Sequence, residues 1–231
     1  MTYLQLCQEV ARATGVVDGL LPTSVVGQTG RLADIVVLVA EAWLEIQNKH
    51  VGWLWLQKEF PEAATPLTTA GTARYTSGSW NISDLANWIT LPGNMTLYAE
   101  STGVADEGPI GFVEWDLYRR YYGRGVQDQG RPVHFSISPQ NEFCLGPIPD
   151  GIYHLRGEYR AAPQVLAANG DVPGCPARHH RVIALLATDK FARQDEAART
   201  LVADVFMQYL TALGDLEMDQ LPKPRIGGAL A

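Results

Sequence analysis

The apolar residues of this chain change their spacing twice, and that double switch limits what it can fold into. Near the start, Tyr3, Leu6, Cys7, Val10 and Ala11 recur at helical spacing, as do Leu32, Ile35, Val36, Val39, Ala40, Trp43 and Ile46. From Phe60 to about Leu166, Pro, Gly, Ser and Thr punctuate short runs rich in Val, Ile, Tyr, Phe and Trp, which is the texture of strands and turns. From Pro176 the helical period returns, with stripes at Val182, Leu185, Leu186 and Ala192, then at Leu201, Val205, Tyr209 and Leu213. The N-terminal stripes are too wide for an isolated helix pair, and packing the two ends together buries both sets. The expected class is therefore α+β, a helical bundle built from N- and C-terminal helices with a β-rich insertion between them. The boundaries that follow are residues 1–59 and 173–216 for the bundle, 60–172 for the insertion and 217–231 for an extended tail.

Local signals sharpen this outline. Thr2 is placed to cap the first helix and Gly15 to end it; Thr29 is placed to cap the second, which should end near His50. Glu41, Glu45 and Lys49 share a face at spacings of four. Candidate strands are 73–76, 88–91, 95–100, 111–114, 133–136, 142–145 and 152–160, and the stretch from Arg131 to Arg160 reads as a meander of hairpins. Residues 115–122 fit either a short helix or a turn. Nothing between Gln194 and Ala197 says whether the C-terminal part is one helix or two, and Gly214 is a candidate stop. Pro222 and Pro224 favour an extended tail.

Composition excludes several classes of function. Apolar residues make up 46% and charged residues 19% of the 231, enough to bury a substantial core. A formal net charge of −7 argues against tight wrapping of DNA, because phosphates are repelled. Arg119, Arg120 and Arg124, beside Tyr118, Tyr121 and Tyr122, form the best basic group, read as solvated charges on a strand or turn. The three cysteines are far apart and lack a CxxC, so neither a disulfide framework nor a zinc site is expected. The opening residues lack the pattern of a signal peptide, and no apolar run is long enough to span a membrane.

No motif carries chemistry. There is no GxSxG, HExxH, GxxxxGK[ST] or GxGxxG, so no catalytic residue, cofactor or metal is expected. Glu114 and Asp116 would share a face if they lay on a strand, but a solvated strand end explains them. Adjacent His179 and His180 point apart on a helix and do not favour one metal. Trp53 and Trp55 form a dense aromatic patch, read as a seal between bundle and insertion. The tail, with Leu221, Pro222, Lys223, Pro224, Arg225, Ile226 and Leu230, makes no core of its own and reads either as disordered or as a docking arm.

Several stretches carry a resemblance to a known family. YLQLCQEVA at 3–11, PTSVVGQTGRL at 22–32, AWLEIQ at 42–47 with Trp53 and Trp55 after it, GRPVHF at 130–135 and PIPDGIY at 147–153 resemble head-to-tail adaptors of tailed bacteriophages. Glu158, Tyr159, Pro163, Leu166, Pro173 and the helical region from Pro176 fit the same family. The resemblance implies a structural virion protein without enzymatic activity, assembled in the host bacterial cytoplasm. It implies a ring, commonly of twelve copies, attached below the portal protein. Genomic DNA would pass through the ring, and tail or nozzle proteins would bind it. It also implies a portal contact in the C-terminal segment, which assigns Leu221, Pro222, Lys223, Pro224, Arg225, Ile226 and Leu230 as partner-binding. A tail-completion or stopper protein is the neighbouring alternative. A virion-associated glycan-binding or hydrolase module is the alternative from another class.

Overall fold

Thr2 opens the first helix with a full capping box: its hydroxyl accepts from the Gln5 amide, and the Gln5 side chain accepts from the Thr2 amide. This is α1 (Tyr3–Ala13), and Gly15, at φ +63°, turns the chain away just beyond its end. The structure is a computed structural model, and it describes residues 1–16, 21–61, 67–202 and 204–222, with the Leu201 side chain left aside. The chain forms two compact units, Met1–Leu56 with Pro163–Ala231, and Gln57–Ala162. Its class is α+β.

The helical unit contains α1, α2 (Gly30–Lys49), α4 (Arg181–Gln194), α5 (Glu196–Leu201) and α6 (Val205–Gln220); α3 belongs to the other unit. The central element is α4, buried at every position from Val182 to Thr188 and again at Phe191 and Ala192. Helices α1, α2 and α6 pack around it. Their core faces are the expected stripes, Leu6, Val10, Ile35, Val39, Trp43 and Ile46, met by Tyr209, Leu213 and Leu216. The split between α4 and α5 needs neither Gly nor Pro: the Asp195 side chain accepts from the amides of Ala197 and Ala198, capping a new helix. Gly214 does not stop α6, because Leu216, fully buried two residues later, holds the next turn on the core. Residues 217–220, expected in the extended tail, therefore continue the helix.

The helical unit begins again at Pro163, ten residues before the bundle was expected to resume. The cause is hydrogen bonding, not hydrophobic period. Buried Gln47 accepts from the Gln164 amide at 2.7 Å and donates to its carbonyl at 2.9 Å. Further along, the Tyr3 amide donates to the Asp171 carbonyl at 2.7 Å, and the Val25 amide to Asn169 Oδ1 at 2.6 Å. The irregular segment 163–175 is thus sewn to the start of α1, to the loop before α2 and to α2 itself, by backbone groups and the side-chain amides of Gln47 and Asn169.

The second unit holds three small sheets among its described residues. β1 (Gln57–Glu59), β10 (Glu158–Ala161) and β3 (Leu85–Trp88) form the first, in the order β1-β10-β3, antiparallel. The second has the order β2-β8-β7-β6, from β2 (Arg74–Tyr75), β8 (Phe143–Gly146), β7 (His134–Ile137) and β6 (Gly111–Phe112), with β6 and β7 parallel. The third is β5-β4-β9, from β5 (Gly108–Pro109), β4 (Thr96–Ala99) and β9 (Tyr153–Arg156), antiparallel.

The expected single strand 152–160 is two strands in different sheets. Tyr153, Leu155, Tyr159 and Ala161 keep one alternating buried phase, yet the chain changes partners at Gly157. A Cβ there would lie 2.1 Å from the Met95 sulfur, so only glycine admits that buried side chain. The meander is correspondingly reduced to one hairpin, β7–β8. The strand expected at 88–91 sits earlier, because pairing Trp88 with Tyr159 fixes the register and leaves Ile89 to Leu91 beyond the strand. Residues 115–122 form α3 (Trp115–Tyr122), with Tyr118 buried. The core of this unit is aromatic. Trp80 lies 5.1 Å from Tyr75, 5.2 Å from Phe143 and 5.7 Å from Trp88, centroid to centroid, and its indole donates to the Leu67 carbonyl.

Candidate assembly surfaces

Chemistry is disfavoured at the residues best suited to it. Burial pushes the Cys7 and Cys175 thiols up to about 12 and Cys144 to about 11, so all three stay protonated at neutral pH. Glu114 and Asp116 are not strand neighbours: Glu114 precedes α3, and Asp116 lies in its first turn, 3.2 Å from Arg119. No group of three His, Cys, Asp or Glu among the described residues is arranged to hold a metal. No described helix is long and apolar enough to cross a membrane.

The two histidines part company, as consecutive residues at a helix start must. His180 is buried, with Nε2 3.0 Å from the Cys175 carbonyl and Nδ1 2.6 Å from the Met1 amine. Desolvation lowers its pKa below the ordinary 6.5. His179 instead meets Asp219 at 3.1 Å. Arg178 also binds Asp219, and hydrogen bonds from Arg178, Gln220 and His179 hold that carboxyl down to about 2. A neutral buried histidine makes the fold acid-sensitive. Below about pH 6.5 the unfolded chain binds a proton at His180 that the folded chain resists, so stability is full above that pH and falls as pH drops. Urea midpoints are expected to decline from pH 7 to pH 5, and His180→Gln to flatten that slope; an unchanged slope would remove His180 as its source.

Trp53 and Trp55 lie within the helical unit. Trp53 is fully buried, stacks on Trp55 at 4.4 Å, meets His50 edge-on at 5.0 Å and donates to the Ile46 carbonyl at 2.9 Å. This patch also supports the root of the tail. Leu221 packs against the helical core, its amide bonded to the Glu217 carbonyl, and Pro222 lies beside Gly52. Of the residues expected to contact portal, only Leu221 and Pro222 are described; Lys223, Pro224, Arg225, Ile226 and Leu230 lie outside the described residues.

Three helices carry exposed faces of mixed chemistry. On α3 and just past it, Arg120 and Tyr121 stand three and four residues after Leu117, and Arg124 stands four and three after them, with Val126 99% exposed nearby. Arg119 is tied to Asp116, but the side chains of Arg120 and Arg124 make no ion pair or hydrogen bond among the described residues. On α2, the outward face carries Asp34, Val37, Glu41 and Leu44, and neither carboxylate is paired there. Glu45, four residues before Lys49, instead reaches Lys190 on α4 at 2.6 Å. On α6, Phe206, Met207, Leu210 and Met218 are exposed opposite the core face, with Arg193 over the Phe206 ring. Sequence periodicity found the buried stripes of α2 and α6; their second, outward apolar residues interrupt no period and so gave no signal.

Several outward apolar faces on one chain are typical of surfaces that meet other proteins. No curated protein matches it. Residues 1–227 match the SU10 adaptor protein family, a match that spans both units and enters the tail. The chain belongs to that family, and so is a structural head-to-tail adaptor of bacteriophages.

Proposed function

We propose that this adaptor forms a ring below the portal, of twelve copies, that carries genomic DNA through its centre and offers an attachment site to tail or nozzle proteins. The observation that carries this reading is the extent of the family match, residues 1–227, which takes in both units. An acidic chain, at net charge −7, lines a conduit without gripping the DNA that slides through it, so no sequence-specific contact is needed. Assembly takes place in the host bacterial cytoplasm, and the finished ring resides in the neck of the virion.

The tail is the proposed portal contact, from Leu221, Pro222, Lys223, Pro224, Arg225, Ile226 and Leu230. Because Leu221 is part of the helical packing, a clean test removes residues 223–231 and keeps Leu221 and Pro222. The truncated chain is expected to melt like the full chain and to co-sediment with purified portal about tenfold more weakly, the loss of one extended docking segment. Full-strength portal binding by the truncated chain would take the tail out of that role.

A further inference from the structure

We propose that the basic face of α3 on one copy docks on the acidic face of α2 on a second copy. The inference rests on the ring reading and names the two surfaces that would close the ring.

The two faces match in charge and in apolar content. One offers Arg120 and Arg124 with Leu117 and Tyr121; the other offers Asp34 and Glu41 with Val37 and Leu44. All four charges lack an ion-pair partner among the described residues, so docking need not break an existing pair. Guanidinium groups suit this task, since each binds a carboxylate through two parallel N–H donors on a long side chain. Tyr121, 58% exposed, and Val37, 55% exposed, supply the apolar centre that charges alone would not.

The surfaces are different patches of the same chain, so the contact is heterologous. Each copy uses both, and the series closes if the rotation permits. The exposed ridge of α6 also carries carboxylates, Asp204 and Asp215, but Arg181 lines the same groove beside Met207 and Arg193 covers Phe206, so a basic face meets two cations there that α2 does not place beside Asp34 and Glu41. Duplex DNA is also a poorer partner: Leu117 and Val126 offer nothing to phosphate, and the acidic chain repels it.

The test reverses one face at a time in the full chain and reads self-association by sedimentation velocity, alone and with portal. Arg120→Glu with Arg124→Glu, and separately Asp34→Lys with Glu41→Lys, should each raise the concentration for half-association about tenfold or more, since like charges then face each other. Mixing the two variants in equal amounts should restore assembly, because each supplies the face the other needs. All four positions are exposed, and circular dichroism melts matching wild type confirm that the fold is kept. Normal assembly of either variant, or a mixture that stays dissociated, overturns the assignment. So does an arginine variant that assembles normally but no longer retains a short duplex DNA, which would give the face to nucleic acid. Wild-type rings on portal that ignore charge reversal defeat this pairing and leave the ring reading standing. Wild-type chain that never self-associates, with or without portal, defeats both.

Discussion

Replacing Trp53 with alanine is expected to destabilise the helical unit by about 3–5 kcal/mol, the range for emptying a buried tryptophan site. Three separate contacts explain why the site would not simply collapse. The indole is fully buried and stacks on Trp55 at 4.4 Å. Its N–H satisfies the Ile46 carbonyl near the end of α2. Its edge meets His50, which caps α2 and reaches Glu217 on α6 at 2.8 Å. The substitution therefore leaves a cavity, an unpaired carbonyl and a loosened link between two helices. Urea unfolding followed by helical circular dichroism reads the effect; a loss below about 1 kcal/mol would mean that the patch is peripheral to the core.

Replacing Phe143 with alanine is expected to cost the β-rich unit a similar amount, about 3–5 kcal/mol. Phe143 begins β8, an interior strand of its sheet, and is fully buried. Its ring touches Phe135 at 5.0 Å, Trp80 at 5.2 Å and Trp88 at 5.3 Å, so it joins residues from three separate stretches of chain. The tryptophans are held by their indole N–H bonds to the Leu67 and Asn141 carbonyls and cannot readily swing into the space. Tryptophan fluorescence during unfolding follows this unit at Trp80, Trp88 and Trp115, while Trp43, Trp53 and Trp55 report on the helical unit. Near-ultraviolet circular dichroism that keeps its native form at the wild-type midpoint would count against the aromatic cluster as the organising core.

Much of this architecture was legible in the residues, and the failures share a cause. Periodicity located α1, α2 and α6 because each buries one clear stripe, and Thr2 announced the first helix start. Strands β1 and β5 gave no signal: Gln57-Lys58-Glu59 is polar, and Gly108-Pro109 is two residues long, so only their partners make them strands. The shift of β3 and the split at Gly157 likewise depend on which distant strand sets the register. The sewing of 163–175 onto the helical unit comes from backbone groups and the side-chain amides of Gln47 and Asn169, which carry no period. Among the surfaces, the arginines of α3 were visible as a group, and their pairing state was not. Arg119 has a local partner three residues away while Arg120 and Arg124 have none among the described residues, a distinction set by the fold. The adaptor assignment needed the family match, because a helical bundle with a β-rich insertion supports many functions.

What this chain does beside a portal decides whether it forms the proposed ring. Electron microscopy of purified portal mixed with the full-length protein tests that directly. The expected image is a second ring of density seated below the portal, with rotational symmetry that matches twelve copies and an open centre. Portal particles whose density is unchanged by saturating amounts of the protein would contradict it.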